Sequence, residues 1–132
     1  MHQVTSSPSH DATATHVAQQ GTIEVSPRAI ATVAGRAVTE TFGVVGIAGK
    51  HLRFGAAEVL PPERYSHGIV VHITGERITI DLYLVVEYGL RISEIARNAV
   101  VNVKFAVEQA LALPVVQVNI IVQGLRIGEA NG

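Results

Sequence analysis

Apolar and polar residues alternate along the middle of the chain, on either side of a short turn. Between residues 69 and 88 nearly every second residue is apolar, a period of two that indicates β-strands. With residues 75–76 as a two-residue turn, His72 lies opposite Thr79. The pattern predicts a β-hairpin whose apolar face consists of Ile69, Val71, Ile73, Ile78, Ile80, Leu82, Leu84, Val86 and Tyr88.

Two other stretches repeat apolar residues every three or four positions, which is typical of amphipathic helices. The first begins with Ser26 as the N-cap and Pro27 at the first helical position, and it ends before Gly43. The second begins near Ser93, which we expect to be its N-cap, and ends at residues 113–114.

Further short strands are predicted at residues 22–25 and 115–122. The predicted fold class is α+β: two layers, with a mainly antiparallel sheet and two helices packed on one face. Residues 1–20 are polar and non-periodic, so a disordered tail is expected there. A single domain is expected over residues 21–127, followed by a frayed C-terminus at residues 128–132.

The second predicted helix carries two apolar residues on its outward face. Val101 and Phe105 are one turn apart and lie nearly opposite the apolar stripe. Residues 50–67 or the N-terminal tail cover them, or they are tolerated singly at the surface, or they contact another subunit or a partner protein. The outer face of the sheet is a second candidate surface. The predicted interface residues are Val101, Phe105, Glu94, Arg97, Glu108, Tyr83, Val85 and Ile121.

Composition excludes several classes of function. The chain has 132 residues, a formal net charge of −1 and a pI of about 6.6, so it lacks the basic field that nucleic-acid binding needs. It has no cysteine, which excludes disulfides and thiol chemistry. No apolar run is long enough to span a bilayer. We therefore expect a cytoplasmic protein that binds no nucleic acid and does not insert into the membrane, although a membrane-bound partner could hold it there.

The glycine-rich stretch at residues 43–50, GVVGIAGK, resembles a phosphate-binding loop only superficially. A P-loop needs four residues between its glycines and then Lys-Ser or Lys-Thr, but here His51 follows Lys50. Its GXXG start also matches the loop of KH domains, without their basic surroundings. A turn leading into a short strand is the favoured interpretation.

Candidate catalytic and metal-binding groups are sparse. His72 and Asp81 share one face of the hairpin, where cross-strand pairing explains them without a nucleophile nearby. Glu63, His67 and His72 have no spacing that presets a metal site. We predict no enzyme activity, no catalytic residue and no cofactor or metal.

Three segments together resemble the alkaline shock protein 23 family of bacterial envelope stress response proteins. They are GTIEVSPRAIATVAGRAVTETFGVVGIAG, ITIDLYLVVEYGLRISEIA and VVQVNIIVQGL, within a resemblance that runs from about residue 21 to residue 125. The resemblance implies a small non-enzymatic α/β protein that self-associates. Some members are tethered at the membrane by a partner protein, and others are linked to regulation of fatty-acid synthesis. We therefore expect a homo-oligomeric scaffold or adaptor of the envelope stress response, with regulation of a biosynthetic enzyme as the alternative.

Overall fold

The structure is a computed structural model that describes residues 13–18 and 20–127. A short 3₁₀ helix, Pro62–His67, interrupts the connection between the third and fourth strands. The helices and strands, in chain order, are β1 (Ala14–Ala18), β2 (Gly21–Val25), α1 (Pro27–Thr39), β3 (Val44–Ile47), β4 (Ile69–Thr74), β5 (Arg77–Glu87), α2 (Ile92–Leu111) and β6 (Val115–Arg126).

Strand β5 lies at the centre of the main sheet. Strand β6 pairs with it in parallel along residues 78–87. Strands β4 and β3 pair with it antiparallel, the former at residues 77–82 and the latter at residues 84–86. Because these two pairings do not overlap, β4 and β3 share the edge of β5 opposite β6. The predicted hairpin register is confirmed, with His72 opposite Thr79.

Both helices cover one face of this sheet, as the α+β prediction required. Alternate residues of β5 point towards the helices and are almost completely buried, as a strand covered on that face demands. Strands β3 and β4 run antiparallel to β5, and α2 is the crossover that makes β5 and β6 parallel. The core includes Ile30, Ala34 and Val38 of α1, Ile95, Ala99, Val103 and Val107 of α2, and Ile78, Ile80, Leu82, Leu84 and Val86 of β5.

The two helix starts differ in how well the sequence predicted them. At α1 the Ser26 hydroxyl accepts a hydrogen bond from the Ala29 N–H at 3.1 Å, which confirms the predicted cap. At α2 the prediction of Ser93 was wrong, because Arg91 occupies the N-cap with an extended backbone. The Arg91 carbonyl already accepts from the Ile95 N–H at 3.1 Å, so Ser93 lies inside the first turn.

The N-terminal boundary also differs from the sequence-based one. Strand β1 falls within the expected tail, yet it pairs antiparallel with β2 over five residue pairs. A composition-based argument misses such a strand because backbone pairing does not depend on the apolar content of the segment. The remaining tail at residues 1–12 and the expected frayed end at residues 128–132 lie outside the described residues.

The two serines provide a matched test of the helix starts. We expect Ser26→Ala to lower the free energy of unfolding by about 1 kcal/mol, because the Ala29 N–H loses its only capping oxygen. Ser93→Ala should change it by less than about 0.5 kcal/mol, since Ser93 is exposed and does not cap the helix. Urea unfolding followed by circular dichroism measures both. Equal losses in the two variants would contradict the assigned N-caps.

Candidate functional site

The outward side of α2 presents an exposed apolar surface. Val101 is 58% exposed and Phe105 is 65% exposed, while Val103 and Val107 on the inward side are fully buried. The two exposed residues are separated by one helical turn, so their side chains lie next to each other. The structure therefore leaves at the surface the pair that the sequence analysis selected, and we call Val101 and Phe105 the helix surface.

A hydrogen bond brings a third exposed apolar residue towards the helix surface. The Asn102 side-chain amide donates to the hydroxyl of the buried Thr41 at 3.0 Å. This contact holds the α1–β3 turn against the part of α2 that carries Val101 and Phe105. Phe42 follows Thr41 directly and is 79% exposed. Sequence periodicity missed Phe42 because the α1 pattern ends before it.

The charged residues predicted around the helix surface have unequal roles. Glu94 makes an exposed ion pair with Arg91 at 3.6 Å, which contributes little to stability. Arg97 is exposed and free to contact a partner. Glu108 instead accepts a hydrogen bond from the Val115 N–H at 2.9 Å and pairs with Lys104 at 3.9 Å. Its carboxylate therefore fastens the start of β6 to α2 in addition to bordering the surface.

The outer face of the sheet, opposite the helices, corrects one predicted interface residue. Val85 is only 2% exposed and cannot offer a contact surface. Val85 is covered by residues 48–60, which we call the crossing segment. Ala57 of this segment lies directly over Gly124, the residue beside Val85. The Gln123 side chain also donates to the carbonyls of Gly49 at 3.2 Å and Lys50 at 3.0 Å.

The other half of the outer face stays open and carries a polar network. His72 and Asp81 are hydrogen-bonded at 3.2 Å, as their positions in the hairpin suggested. The Asn119 amide donates to the same carboxylate at 2.8 Å, and Gln117 donates to Asn119 at 2.7 Å. Each member has a protein partner, so the network ties β4, β5 and β6 together. Tyr83 and Ile121, the remaining predicted residues of this face, are half-buried.

The sites considered for metal and phosphate do not form in the described part of the chain. Glu63 and His67 belong to the 3₁₀ helix, whereas His72 lies on the outer sheet face. Across residues 13–18 and 20–127, His, Asp and Glu form no group of three that could hold a metal ion. The glycine-rich stretch forms a turn at Gly43, with φ of +91°, followed by strand β3.

Length and hydropathy bear on how the chain could meet a membrane. The longest helix, α2, has twenty residues, but charged side chains along its exposed side interrupt its apolar character. Among the described residues, no helix has the length and apolar character needed to cross a bilayer.

Comparison with known proteins places this fold in a family. A family model with a cell envelope-related function matches residues 15–127. The chain belongs to the alkaline shock protein 23 family. An uncharacterized Bacillus subtilis protein, YloU, is 44% identical over 108 residues, which cover 81% of this chain and 90% of YloU.

A second relative and one solved structure extend the comparison. The uncharacterized Streptococcus pyogenes protein Spy1614 is 41% identical over 114 residues, 86% of this chain and 94% of that protein. A solved structure of MamM CTD in its zinc form aligns with 78% of this chain and 90% of the MamM chain. The TM-score is 0.45 and the sequence identity is 16%. That structural likeness is too low to carry an argument. The description of the family names no enzymatic activity.

The burial of Val85 gives a direct test of the corrected surface. We expect Val85→Ala to lower the free energy of unfolding by about 1–3 kcal/mol, because it leaves a cavity beneath the crossing segment. Val101→Ala should cost less than about 0.5 kcal/mol, since its side chain already contacts water. Chemical denaturation measures the free energy of unfolding of both variants. A loss of stability in Val101→Ala but not in Val85→Ala would contradict the assignment of Val85 as buried and Val101 as exposed.

Proposed function

We propose that this protein is a non-enzymatic scaffold that self-associates and acts at the cell envelope through a membrane-anchored partner. The observation that carries the proposal is the exposed pair Val101 and Phe105 on the outward side of α2. Membership of an envelope-related family gives the setting in which the scaffold acts.

The energetics of Phe105 favour a contact function. Covering a phenylalanine side chain stabilises a contact by about 1.5–3 kcal/mol, and most of the Phe105 ring is available for this. Aromatic residues are enriched at protein interfaces, and a few of them supply most of the binding energy. Because Phe105 lies in the middle of a twenty-residue helix, little backbone entropy is lost when it is covered.

The surroundings of the helix surface also suit a protein partner. Glu94 and Arg97 lie towards the start of α2. Lys104 precedes Phe105 in the sequence and pairs with Glu108. Both signs of charge are present, so neither a nucleic acid nor a strongly charged ligand is favoured. An apolar centre with a mixed polar border is the usual arrangement at protein–protein contacts.

The non-enzymatic part of the proposal is supported by the polar network of the outer face. Its one histidine–carboxylate pair, His72 and Asp81, also holds the Asn119 amide and lies on a broad, open sheet surface. Thr79 lies directly opposite His72, but the described contacts of His72 and Asp81 are hydrogen bonds between strands on an open surface, a structural role that accounts for both residues.

Phe105→Glu is the decisive substitution for the helix surface. We expect it to weaken self-association and partner recovery at least about 10-fold, because a carboxylate would have to be desolvated in the contact. Thr32→Glu is the matched control, since it adds the same charge at an exposed helical position on α1, away from the helix surface. Sedimentation velocity measures self-association, and cross-linking in cells followed by mass spectrometry measures recovery of a partner.

The recovered proteins distinguish the scaffold from its alternative. Recovery of a small membrane protein with wild type, lost with Phe105→Glu and kept with Thr32→Glu, supports the scaffold. Recovery of soluble biosynthetic enzymes, unaffected by Phe105→Glu, would instead support a regulator of metabolism. Unchanged mass and unchanged recovery in Phe105→Glu would overturn the assignment of the helix surface.

A further inference from the structure

Strand β6 has a free edge whose central part is regular, because its two irregularities lie near its ends, between Val115 and Gln117 and between Val122 and Gly124. It is twelve residues long and pairs with β5 along one side, and within the described residues no strand pairs with its other side. Residues 115–125 contain no charged residue and no proline. Proteins normally protect a free edge with charges, prolines, bulges or short strands, because its unpaired backbone groups recruit another strand. Residues 117–122, the regular and neutral segment between the two irregularities, are suited to a β-strand partner.

The crossing segment ends in a tight hairpin that displays an aromatic residue. Arg53 and Ala56 exchange two backbone hydrogen bonds, at 2.8 and 3.0 Å, around Phe54 and Gly55. Both central residues have positive φ, +53° and +76°. This conformation suits Asn-Gly, whereas a bulky aromatic residue is strained there. Phe54 is nevertheless 95% exposed. We call residues 52–57 the finger.

Contacts along the crossing segment show where the finger points. Val59 lies over Gly46 of β3, and Ala57 lies over Gly124 of β6. These two contacts, two residues apart, lead across the sheet from β3 past β5 to β6. Since extended chain advances roughly 3.3 Å per residue, Phe54 at the tip lies at or beyond the free edge of β6.

The open half of the outer face carries an apolar surface that could be contacted by another chain. Val70 and Tyr83 are only half-buried there, and Ile121 lies beside Tyr83 on the neighbouring strand. This area lies towards the start of β6, whereas the chain's own finger crosses near its end, at Gly124. The protein thus covers one half of this face with its own chain and leaves the other half open.

We propose that two copies of this chain pair edge to edge through antiparallel β6 strands, each placing its finger on the open half of the other copy's outer face. A two-fold axis perpendicular to the sheet reverses β6, so the finger-bearing end of one copy meets the open end of the other. The strand is neutral, so no like charges face each other. The pairing satisfies the free edge of β6, covers Phe54 and fills the open half.

This dimer is separate from the helix surface. Helix α2 lies on the opposite face of the sheet from the finger. The inference therefore does not rest on the function proposed for Val101 and Phe105, and Phe105→Glu should leave the β6 pairing unchanged.

The test is the mass of the full chain in Phe54→Asn. Asparagine tolerates positive φ and forms a favoured Asn-Gly turn, so this variant keeps or improves the finger while removing the ring. To remove association through the helix surface, every protein compared carries Phe105→Glu, and the protein with Phe54 intact should then sediment at twice 14.0 kDa. The dimer dissociation constant should rise about 30-fold or more in Phe54→Asn, as for an aromatic anchor. Phe42→Asn, at an exposed aromatic residue outside the finger, should change it less than about 3-fold.

Cysteine cross-linking checks the geometry independently, because the chain contains no cysteine. Ala56→Cys protein mixed with Gln117→Cys protein should form a mixed disulfide faster than Ala56→Cys with Thr32→Cys, which lies on α1 in the other layer. A Phe105→Glu protein with Phe54 intact that is monomeric at every concentration, a Phe54→Asn variant with unchanged mass, or equal cross-linking rates would each overturn the proposed dimer.

Discussion

The burial of strand β5 on both faces is the constraint on which the rest of the fold depends. Its inward residues pack against α1 and α2, and its outward Val85 is covered by the crossing segment. Three consecutive residues, 84–86, are therefore almost inaccessible to water. A strand buried in this way must have all its backbone groups paired, which β3, β4 and β6 achieve along its two edges. The crossing segment can lie close over Val85 because the residues beside Val85 on β3 and β6, Gly46 and Gly124, have no side chains.

In a two-layer fold with both helices on one side, the opposite face of the sheet must either be covered by other parts of the chain or carry side chains that tolerate water. Here the crossing segment covers the half near Gly124, and the polar network of His72, Asp81 and Asn119 tolerates water over the other half. Tyr83 and Ile121 beside that network are less suited to water. Because one face is covered unevenly and the edge strand β6 is neutral, this small domain has a second surface for association in addition to the helix surface.

Local patterns predicted the parts of the fold that depend on local physics. The period of two in the hairpin determined which residues face the core and the pairing of His72 with Thr79, and Ser26-Pro27 marked the start of α1. Val85 was misplaced because alternation along β5 contains no information about a segment 25–37 residues earlier that folds back over it. Phe54 was missed since turns with two positive φ angles are recognised by Asn, Asp or Gly at the first position, and phenylalanine hides that signal.

The two proposed surfaces have a geometric consequence when taken together. Because the two-fold axis of the proposed β6 dimer is perpendicular to the sheet, both α2 helices of a dimer lie on the same side. Val101 and Phe105 of both copies then face one direction, which lets a dimer bind two partner molecules arranged in a plane. Partners anchored in a membrane are so arranged, and binding two of them raises the apparent affinity by roughly 10²–10⁴ without any new contact. If the helix surfaces instead bind each other, a second two-fold contact joins dimers, into a closed tetramer where the two axes intersect at right angles and into an open chain where they do not intersect. A self-associating scaffold and a bivalent adaptor are thus two outcomes of the same arrangement, and the partner available to α2 selects between them.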